Sequence, residues 1–194
     1  MKRIFSFFTV ITVLTLSTAL AQNTSYKIAA GSQVIIEGTS TVHDWSVEID
    51  KLQSGLVVSS GEDAYSILNT TIDIKVDDLK SGKGRMDRLM HSALKKDAHP
   101  AITFRLDPAR TTLTGSNGTM TVTVTGSVNI AGVERMISLN LDGKRNADQT
   151  VQFTGYKDLK MSDFKVDPPT AMLGTIRSGN DITIRFDLRY SPVN

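Results

Sequence analysis

The sequence contains no cysteine. Without cysteine the chain cannot form disulfide bonds, zinc sites with thiolate ligands or a cysteine nucleophile, and it cannot carry a lipid on an N-terminal cysteine. A domain without cross-links depends on burying enough apolar surface, and 194 residues are enough for one sizeable core. We therefore expect one domain that is stabilised by its core.

The sequence also has no excess of positive or negative side chains after its N-terminal 21 residues. Lys2 and Arg3 precede an apolar stretch at residues 4–16 that is too short to span a bilayer, and Ala19-Leu20-Ala21 has the small-x-small pattern of a cleavage site. These features predict a signal peptide over residues 1–21, cleaved near Ala21, and export to the periplasm or the cell exterior. Residues 22–194 then hold 20 basic and 20 acidic side chains. This balance argues against nucleic acid as a partner.

A second long apolar run is missing as well. After the predicted signal peptide, no segment of the sequence is apolar for long enough to cross a bilayer as a helix. We therefore expect no stable membrane insertion of the mature chain.

Two-residue alternation is what the sequence has in abundance. From Met120 to Ile130 every second residue is apolar or glycine, and the residues between are Thr, Ser or Asn. This period is typical of a β-strand with one buried and one solvated face. It recurs in segments that contain Val34, Trp45, Val57, Ile72, Ile102, Leu139, Phe153 and Ile184. Roughly eight or nine such strands predict an antiparallel sandwich or a sheet closed into a barrel.

Two dipeptides predict tight reversals between these strands. Asn117-Gly118 is typical of a two-residue hairpin, because both residues tolerate positive φ angles. Ala131-Gly132 begins a second reversal, from the strand that ends at Ile130 into the strand that contains Ile137.

The period changes only between Arg85 and Lys96. Apolar residues there are three and four apart, at Met86, Leu89, Met90, Ala93 and Leu94, which is typical of an amphipathic helix. Pro100 ends this region, because a proline disfavours helical geometry in the residue before it. We expect this single helix to lay its apolar stripe across an open end of the barrel.

Motifs for catalysis, metal binding or a cofactor are not found. Ser40, His43 and Asp44 are close in sequence, but neighbouring residues of an extended chain point to opposite faces, which disfavours a nucleophile–base–acid relay. The three histidines, His43, His91 and His99, are widely spaced and none has a His-x-x-x-His partner. We therefore predict no catalytic residue, no metal site and no cofactor.

The inward faces of the strands are the candidate binding surface. Their apolar side chains either fill the core, as in small barrels, or line a cavity, and the alternation does not distinguish the two. An apolar cavity would bind a long aliphatic chain without any polar motif. The candidate residues are Trp45, Ile102, Phe104, Val122, Val124, Val128, Ile130, Ile137, Leu139, Phe153, Ile184 and Phe186.

Four segments carry motifs in a particular order. The predicted helix is followed by Pro100-Ala-Ile102-Thr-Phe104. Next come Gly118-Thr-Met120-Thr-Val122-Thr-Val124-Thr-Gly126 and Ile130-Ala-Gly132-Val-Glu134-Arg-Met-Ile137. Near the C-terminus stands Ser162-Asp163-Phe164-Lys-Val166-Asp-Pro168-Pro169. In this order, and over most of the mature chain, the segments resemble the YceI-like family, and the last is similar to that family's Asp-Phe element.

The resemblance implies an extended, lipocalin-like antiparallel β-barrel over residues 22–194, exported by a bacterium. It also implies an elongated tunnel that binds long apolar molecules, such as polyisoprenoids, isoprenoid quinones and fatty-acid derivatives. Because it belongs to the Asp-Phe element, Phe164 joins the candidate ligand-binding residues.

Three hypotheses about function follow. The leading one is a periplasmic or secreted carrier, not an enzyme, for a long-chain isoprenoid or acyl lipid, in which His43, Arg105 or Asp163 orients the head group. The second is an adhesion or structural module with a filled barrel. The third is a lipid-modifying enzyme that uses Ser40, His43 or Asp163, which requires two such groups within hydrogen-bond reach at a cavity wall. A homodimer is compatible with each hypothesis.

Overall fold

Alternating apolar and polar residues form twelve strands, and the segment with three-and-four spacing forms one α-helix, in the computed structural model, which describes residues 22–49, 51–60, 65–108, 112–116 and 118–193. The predicted signal peptide and Asn117 lie outside these residues. The strands are β1 (Gln22–Ile28), β2 (Gln33–Ser40), β3 (Trp45–Ile49), β4 (Gln53–Ser60), β5 (Tyr65–Lys75), β6 (Ala101–Leu106), β7 (Thr112–Ser116), β8 (Thr119–Ile130), β9 (Val133–Arg145), β10 (Val151–Lys160), β11 (Thr170–Ala171) and β12 (Ile176–Pro192). Helix α1 spans Gly84–Ala93, and short 3₁₀ turns occupy Val76–Asp78, Met161–Phe164 and Met172–Gly174.

Eight of the strands close into an antiparallel ring. Their order around the ring is β1, β4, β5, β6, β8, β9, β10 and β12, and β12 pairs with β1 to complete it. The closing register joins Tyr26 to Pro192 and Ile28 to Tyr190. Closure pairs the two edges of the sheet with each other, so the inward faces of all eight strands enclose a common interior.

The closure depends on β12, which is 17 residues long. One edge of β12 pairs with the whole of β10. The other edge is shared, because its C-terminal residues pair with β1 and its preceding residues pair with β2. Strand β3 extends the sheet beyond β2, and there the Glu48 amide donates a hydrogen bond of 3.2 Å to the Lys80 carbonyl. The segment after β5 therefore meets β3 on the open side of the sheet.

The predicted all-β barrel of about eight strands with one helix is confirmed, but some details differ from the prediction. Strand β1 was not predicted, because only Tyr26 and Ile28 alternate there with polar residues. The helix ends at Ala93 and not at Lys96, because Lys95 adopts a left-handed φ of 55° that an α-helix cannot include.

Both predicted reversals join the strands as expected. Ala131 and Gly132 have φ angles of 51° and 81°, the left-handed pair that a tight hairpin requires, and they connect β8 to β9. In the other reversal, Gly118 has a φ of 81°, and the strands on its two sides, β7 and β8, pair with each other. The turn residues therefore fix the register in which the neighbouring strands present their apolar faces.

The interior contains two clusters of buried side chains. The larger cluster joins inward-facing residues of the ring to residues of β2 and β3, and it includes Val47, Ile49 and Val122, each with no exposed surface. Helix α1 packs against it through residues at the spacing that predicted the helix, Met86, Met90 and Leu94. The smaller cluster gathers around Phe164 and Val166. Within the ranges that the structure describes, no helix combines the length and hydropathy needed to cross a membrane.

Tyr190 links the strands on both sides of the closing pair. Its hydroxyl is 2.7 Å from the Ser54 hydroxyl on β4, and its ring lies edge-on to Phe153 on β10 with centroids 6.2 Å apart. Only 2% of Tyr190 is exposed. This burial raises the pKa of the Tyr190 phenol, and the hydrogen bond to Ser54 opposes the rise only in part.

Replacing Tyr190 by Phe should lower the free energy of unfolding by about 1 kcal/mol, because it removes the hydrogen bond to Ser54. The alkaline pH dependence should change as well. Since the folded-state pKa is raised, the unfolded chain releases this proton first as the pH rises past about 10, and the wild-type protein loses stability there. Tyr190→Phe should lose that part of the decline.

Urea unfolding at neutral pH and above pH 10 measures both effects. Tyr156→Phe is the matched control, because Tyr156 is 59% exposed and its substitution should leave stability at neutral pH unchanged. A Tyr190→Phe protein that keeps the full wild-type decline above pH 10 would contradict the assignment.

Candidate functional site

The ring is not filled by its own side chains. A cavity of about 430 Å³ runs through the interior, a volume within the range of sites that hold small ligands. Its walls are the inward faces of the ring strands together with β2, β3 and helix α1. The side chains that face the cavity are predominantly Val, Ile, Leu, Met and Phe, so the space favours an apolar occupant.

The structure brings together all but one of the residues predicted to form the binding surface. The following predicted residues line the cavity: Trp45, Ile102, Phe104, Val124, Val128, Ile130, Ile137, Leu139, Phe153, Phe164, Ile184 and Phe186. The exception is Val122, which has no exposed surface and packs in the larger core cluster without lining the cavity. Val122 therefore packs among the core residues and has no direct contact with the cavity.

Helix α1 supplies a part of the wall that the candidate residues did not include. Met86, Leu89, Met90, Ala93 and Leu94 all line the cavity. Their three-and-four spacing had indicated a helix packed against the barrel, but spacing alone did not show that the helix borders the binding space. The alternating residues of β2 and β5, such as Ile36 and Ile72, also line the cavity. The alternation of these residues with polar ones in the sequence could have identified them as candidate lining residues.

Solvent reaches the cavity at one end of the barrel. Among the lining residues, four are exposed: His43, Lys83, Arg85 and Thr170. They lie in the turn between β2 and β3, in the segment that begins α1, and in β11. We call the opening that these four residues surround the mouth.

Polar lining residues are few, and those that carry charge are basic. Besides the mouth residues, the lining residues that carry polar side-chain atoms are Ser40, Trp45, Thr70, Lys157, Ser178 and Tyr190. No aspartate or glutamate is among the lining residues of the described chain. An unpaired carboxylate facing an apolar space would carry a large desolvation cost, which accounts for this distribution.

Lys157 faces the cavity at a place where two ring strands separate. The pairing of β9 with β10 ends at Leu141 and Gly155. Beyond that point the Lys157 ammonium donates a hydrogen bond of 2.9 Å to the Ser138 carbonyl. A side chain therefore replaces the missing strand-to-strand hydrogen bond, and the aliphatic stem of Lys157 stays at the apolar wall.

Of the three side chains predicted to orient a head group, only His43 lies at the cavity. Arg105 donates to Asp73 at 2.9 Å on the outer surface, since it alternates with the inward-facing residues of β6. Asp163 is exposed and is not a lining residue, and its carbonyl accepts a hydrogen bond from Arg135. The prediction was wrong for Arg105 and Asp163.

The Ser40 hydroxyl makes local contacts that a catalytic relay would not use. It donates to the His43 carbonyl at 2.7 Å and accepts hydrogen bonds from the amides of Val42 and His43. The His43 ring contacts the Asp44 carbonyl at 2.8 Å. These bonds stabilise the turn between β2 and β3, and they direct the Ser40 hydroxyl to backbone groups and not to the imidazole. Among the described residues, no three His, Asp or Glu side chains come together as a metal site.

The sequence of this barrel matches a known protein family. The YceI-like domain family matches residues 22–190. The chain belongs to the YceI-like family. No curated protein matches this YceI-like chain.

Solved structures share the fold of this YceI-like protein. The crystal structure of BcnA from Burkholderia cenocepacia has a TM-score of 0.67 at 17% sequence identity and covers 84% of this chain and 99% of its own. A polyisoprenoid binding domain from Saccharophagus degradans, implicated in plant cell wall breakdown, has a TM-score of 0.65 at 15% identity and covers 88% of this chain and 99% of its own. A mutant of the Campylobacter jejuni YCEI protein has a TM-score of 0.54 at 15% sequence identity and covers 98% of this chain and 94% of its own. At these identities the likeness concerns the fold alone.

The single tryptophan of this YceI-like chain stands close to the mouth. The Trp45 indole donates a hydrogen bond of 2.9 Å to the Thr39 carbonyl, and its ring lies directly over Gly38 on the neighbouring strand. A Cβ atom at Gly38 would be 2.2 Å from the Trp45 ring. Only glycine leaves room for the ring in this position, so Gly38 sets where Trp45 meets the cavity.

Gly38→Ala should therefore displace the Trp45 ring from the cavity wall. We expect the Trp45 emission to shift to longer wavelength and its quenching by acrylamide to increase, because the displaced indole gains contact with water. Because the chain contains one tryptophan, the signal comes from this site alone. The matched control is Gly55→Ala on β4, where an added Cβ would have nothing within 4 Å. Equal spectra for wild type and Gly38→Ala would contradict this account of the packing.

Proposed function

We propose that this protein binds a long-chain apolar molecule inside the barrel and carries or sequesters it outside the cytoplasm. The observation that carries the proposal is the cavity of about 430 Å³ with an apolar wall and a mouth formed by exposed residues. The YceI-like family and the structural likeness to a polyisoprenoid binding domain support it. The proposed ligand class comprises polyisoprenoids, isoprenoid quinones and fatty-acid derivatives.

Apolar burial alone gives a useful affinity in such a site. Transfer of about ten methylene groups from water at about 0.8 kcal/mol each yields about 8 kcal/mol. This is on the order of micromolar affinity before the cost of ordering the chain is subtracted. A carrier that must also release its ligand does not need tighter binding, so the scarcity of polar wall residues agrees with the proposed role.

The observations favour binding over catalysis or adhesion. A lipid-modifying enzyme needs a nucleophile or an acid–base pair at the cavity wall, whereas Ser40 is held by backbone groups and Asp163 lies away from the cavity. An adhesion module with a filled barrel would have no internal space of this size. Export is proposed from the predicted signal peptide, which ends at Ala21.

Native mass spectrometry on mature protein purified from its source compartment tests the proposal directly. We expect a species heavier than the polypeptide by the mass of one apolar molecule, which organic extraction then identifies. If the protein is isolated without ligand, oleic acid and a ubiquinone analogue are added and the titration is repeated. Failure of both compounds to change the mass, at concentrations well above micromolar, would contradict the carrier function.

Leu139→Trp should block the cavity from within. Leu139 lines the cavity on β9, and a larger indole there takes the place of roughly two ligand methylenes or more, which predicts at least a tenfold loss of affinity. The matched control is Met136→Trp, because Met136 is on the same strand, 51% exposed and outside the lining. Thermal melts check that both variants fold. Equal ligand affinity of a folded Leu139→Trp protein and the wild type would show that the ligand does not occupy this space.

A further inference from the structure

Three segments meet at the mouth and hold one another in place. In the turn between β2 and β3, the Thr41 amide donates to the Arg177 carbonyl at 3.0 Å and the Thr41 hydroxyl donates to the Thr175 carbonyl at 3.3 Å. On the other side, the Arg85 guanidinium is 3.8 Å from the Met172 sulfur. We call residues 40–45, 83–86 and 169–178 together the rim.

The rim presents apolar side chains to water. Val42 is 63% exposed, Met172 is 56% exposed and Leu173 is 107% exposed, which means that Leu173 touches almost nothing else in the protein. Val42 and the Met172–Leu173 pair belong to the two rim segments that Thr41 joins. Exposed apolar side chains gathered around a cavity opening mark a surface that contacts another apolar phase.

The backbone holds Met172 and Leu173 outward in an unfavourable conformation. Their φ angles are 50° and 56°, and Gly174 follows at 87°, so three consecutive residues are left-handed although two of them carry large side chains. The Thr175 hydroxyl donates to the Met172 carbonyl at 2.7 Å, and the Arg177 guanidinium donates to the Gly174 carbonyl at 2.8 Å. Strain that the surrounding hydrogen bonds maintain is typical of functional segments.

Basic side chains accompany these apolar ones. Lys83, Arg85 and Arg177 are exposed on the rim, and no ion pair is formed by any of them among the described residues. Acidic groups are fewer here. Asp44 is exposed in the rim. Just beyond the rim, Asp167 is also exposed, and Asp87 accepts hydrogen bonds from the Ser81 amide and hydroxyl. The rim therefore complements a negatively charged surface.

We propose that the rim docks on a phospholipid bilayer that contains anionic headgroups. Val42, Met172 and Leu173 enter the interfacial region, and Lys83, Arg85 and Arg177 contact headgroup phosphates. Apolar tips combined with surrounding basic residues are the features by which proteins lie on, and do not span, a membrane. Docking in this orientation sets the mouth against the lipid phase, whatever molecule the cavity holds.

Cosedimentation with vesicles tests the proposal on the mature protein. We expect binding to vesicles of phosphatidylcholine mixed with phosphatidylglycerol, and much weaker binding to vesicles of phosphatidylcholine alone. The double variant Lys83→Gln, Arg85→Gln should bind the mixed vesicles about 25-fold more weakly, because each basic residue near an anionic surface contributes about fivefold. Leu173→Ser should weaken binding to both kinds of vesicle.

Matched controls lie at the opposite end of the barrel. Val193 follows the C-terminal end of β12 and is 52% exposed, so Val193→Ser should bind vesicles like the wild type. Lys144 lies near the C-terminal end of β9, where it pairs with Thr119 of β8. Lys144→Gln removes a basic charge there and should have little effect on vesicle binding. Losses in these controls as large as those in the rim variants would overturn the proposal, as would an absence of binding to mixed vesicles. Leu139→Trp, which blocks the cavity, should still bind vesicles, so the test is independent of ligand carriage.

Discussion

The number of strands in the ring is the constraint on which the cavity, the helix and the mouth depend. Eight strands enclose an interior just wide enough either for their own side chains to fill or for one small guest. Here the inward positions carry mostly Val, Ile and Leu, which cover the wall without meeting in the middle. Helix α1 completes the wall with Met86, Met90 and Leu94, and the beginning of the same helix borders the mouth.

Polarity follows the same geometry. The wall of the cavity is mostly apolar. Charged side chains lie where water is within reach, at Lys83 and Arg85, or where a flexible stem lets an ammonium group leave the apolar wall, at Lys157. The separation of β9 from β10 is tolerated because Lys157 donates a hydrogen bond to the carbonyl of Ser138, which lies beyond the last residue pair of β9 with β10. Both features follow from the cost of leaving a polar group without a partner.

Much of the fold could be read from the sequence because each local signal agrees with the final structure. The alternation from Met120 to Ile130 corresponds to β8, and the spacing from Met86 to Leu94 corresponds to α1 and its packing face. The candidate site was predicted for the same reason, since inward-facing residues of a closed ring must share one interior. Val122 shows the limit of this argument, because alternation assigns a face but not the distance from a cavity.

The mouth could not be predicted in this way. Lys83 and Arg85 lie at the beginning of α1 outside its apolar stripe, and Thr170 lies in the distant two-residue strand β11, so only tertiary structure brings them together. Arg105 was a different kind of failure, since the alternation of β6 already assigned it to the outer face.

The sharing of β12 between β1, β2 and β10 has a consequence for how the chain reaches this structure. Arg185 pairs with Ile35, and Ile28 pairs with Tyr190, so contacts that complete the sheet join the two ends of the sequence. Pairings of such long range are slow to form, because the chain loses the entropy of closing a long loop before the hydrogen bonds that offset this loss can form. The barrel therefore cannot close before β12 has been synthesised. Until its last residues are available, β1, β2 and β10 remain open edges that require protection from aggregation.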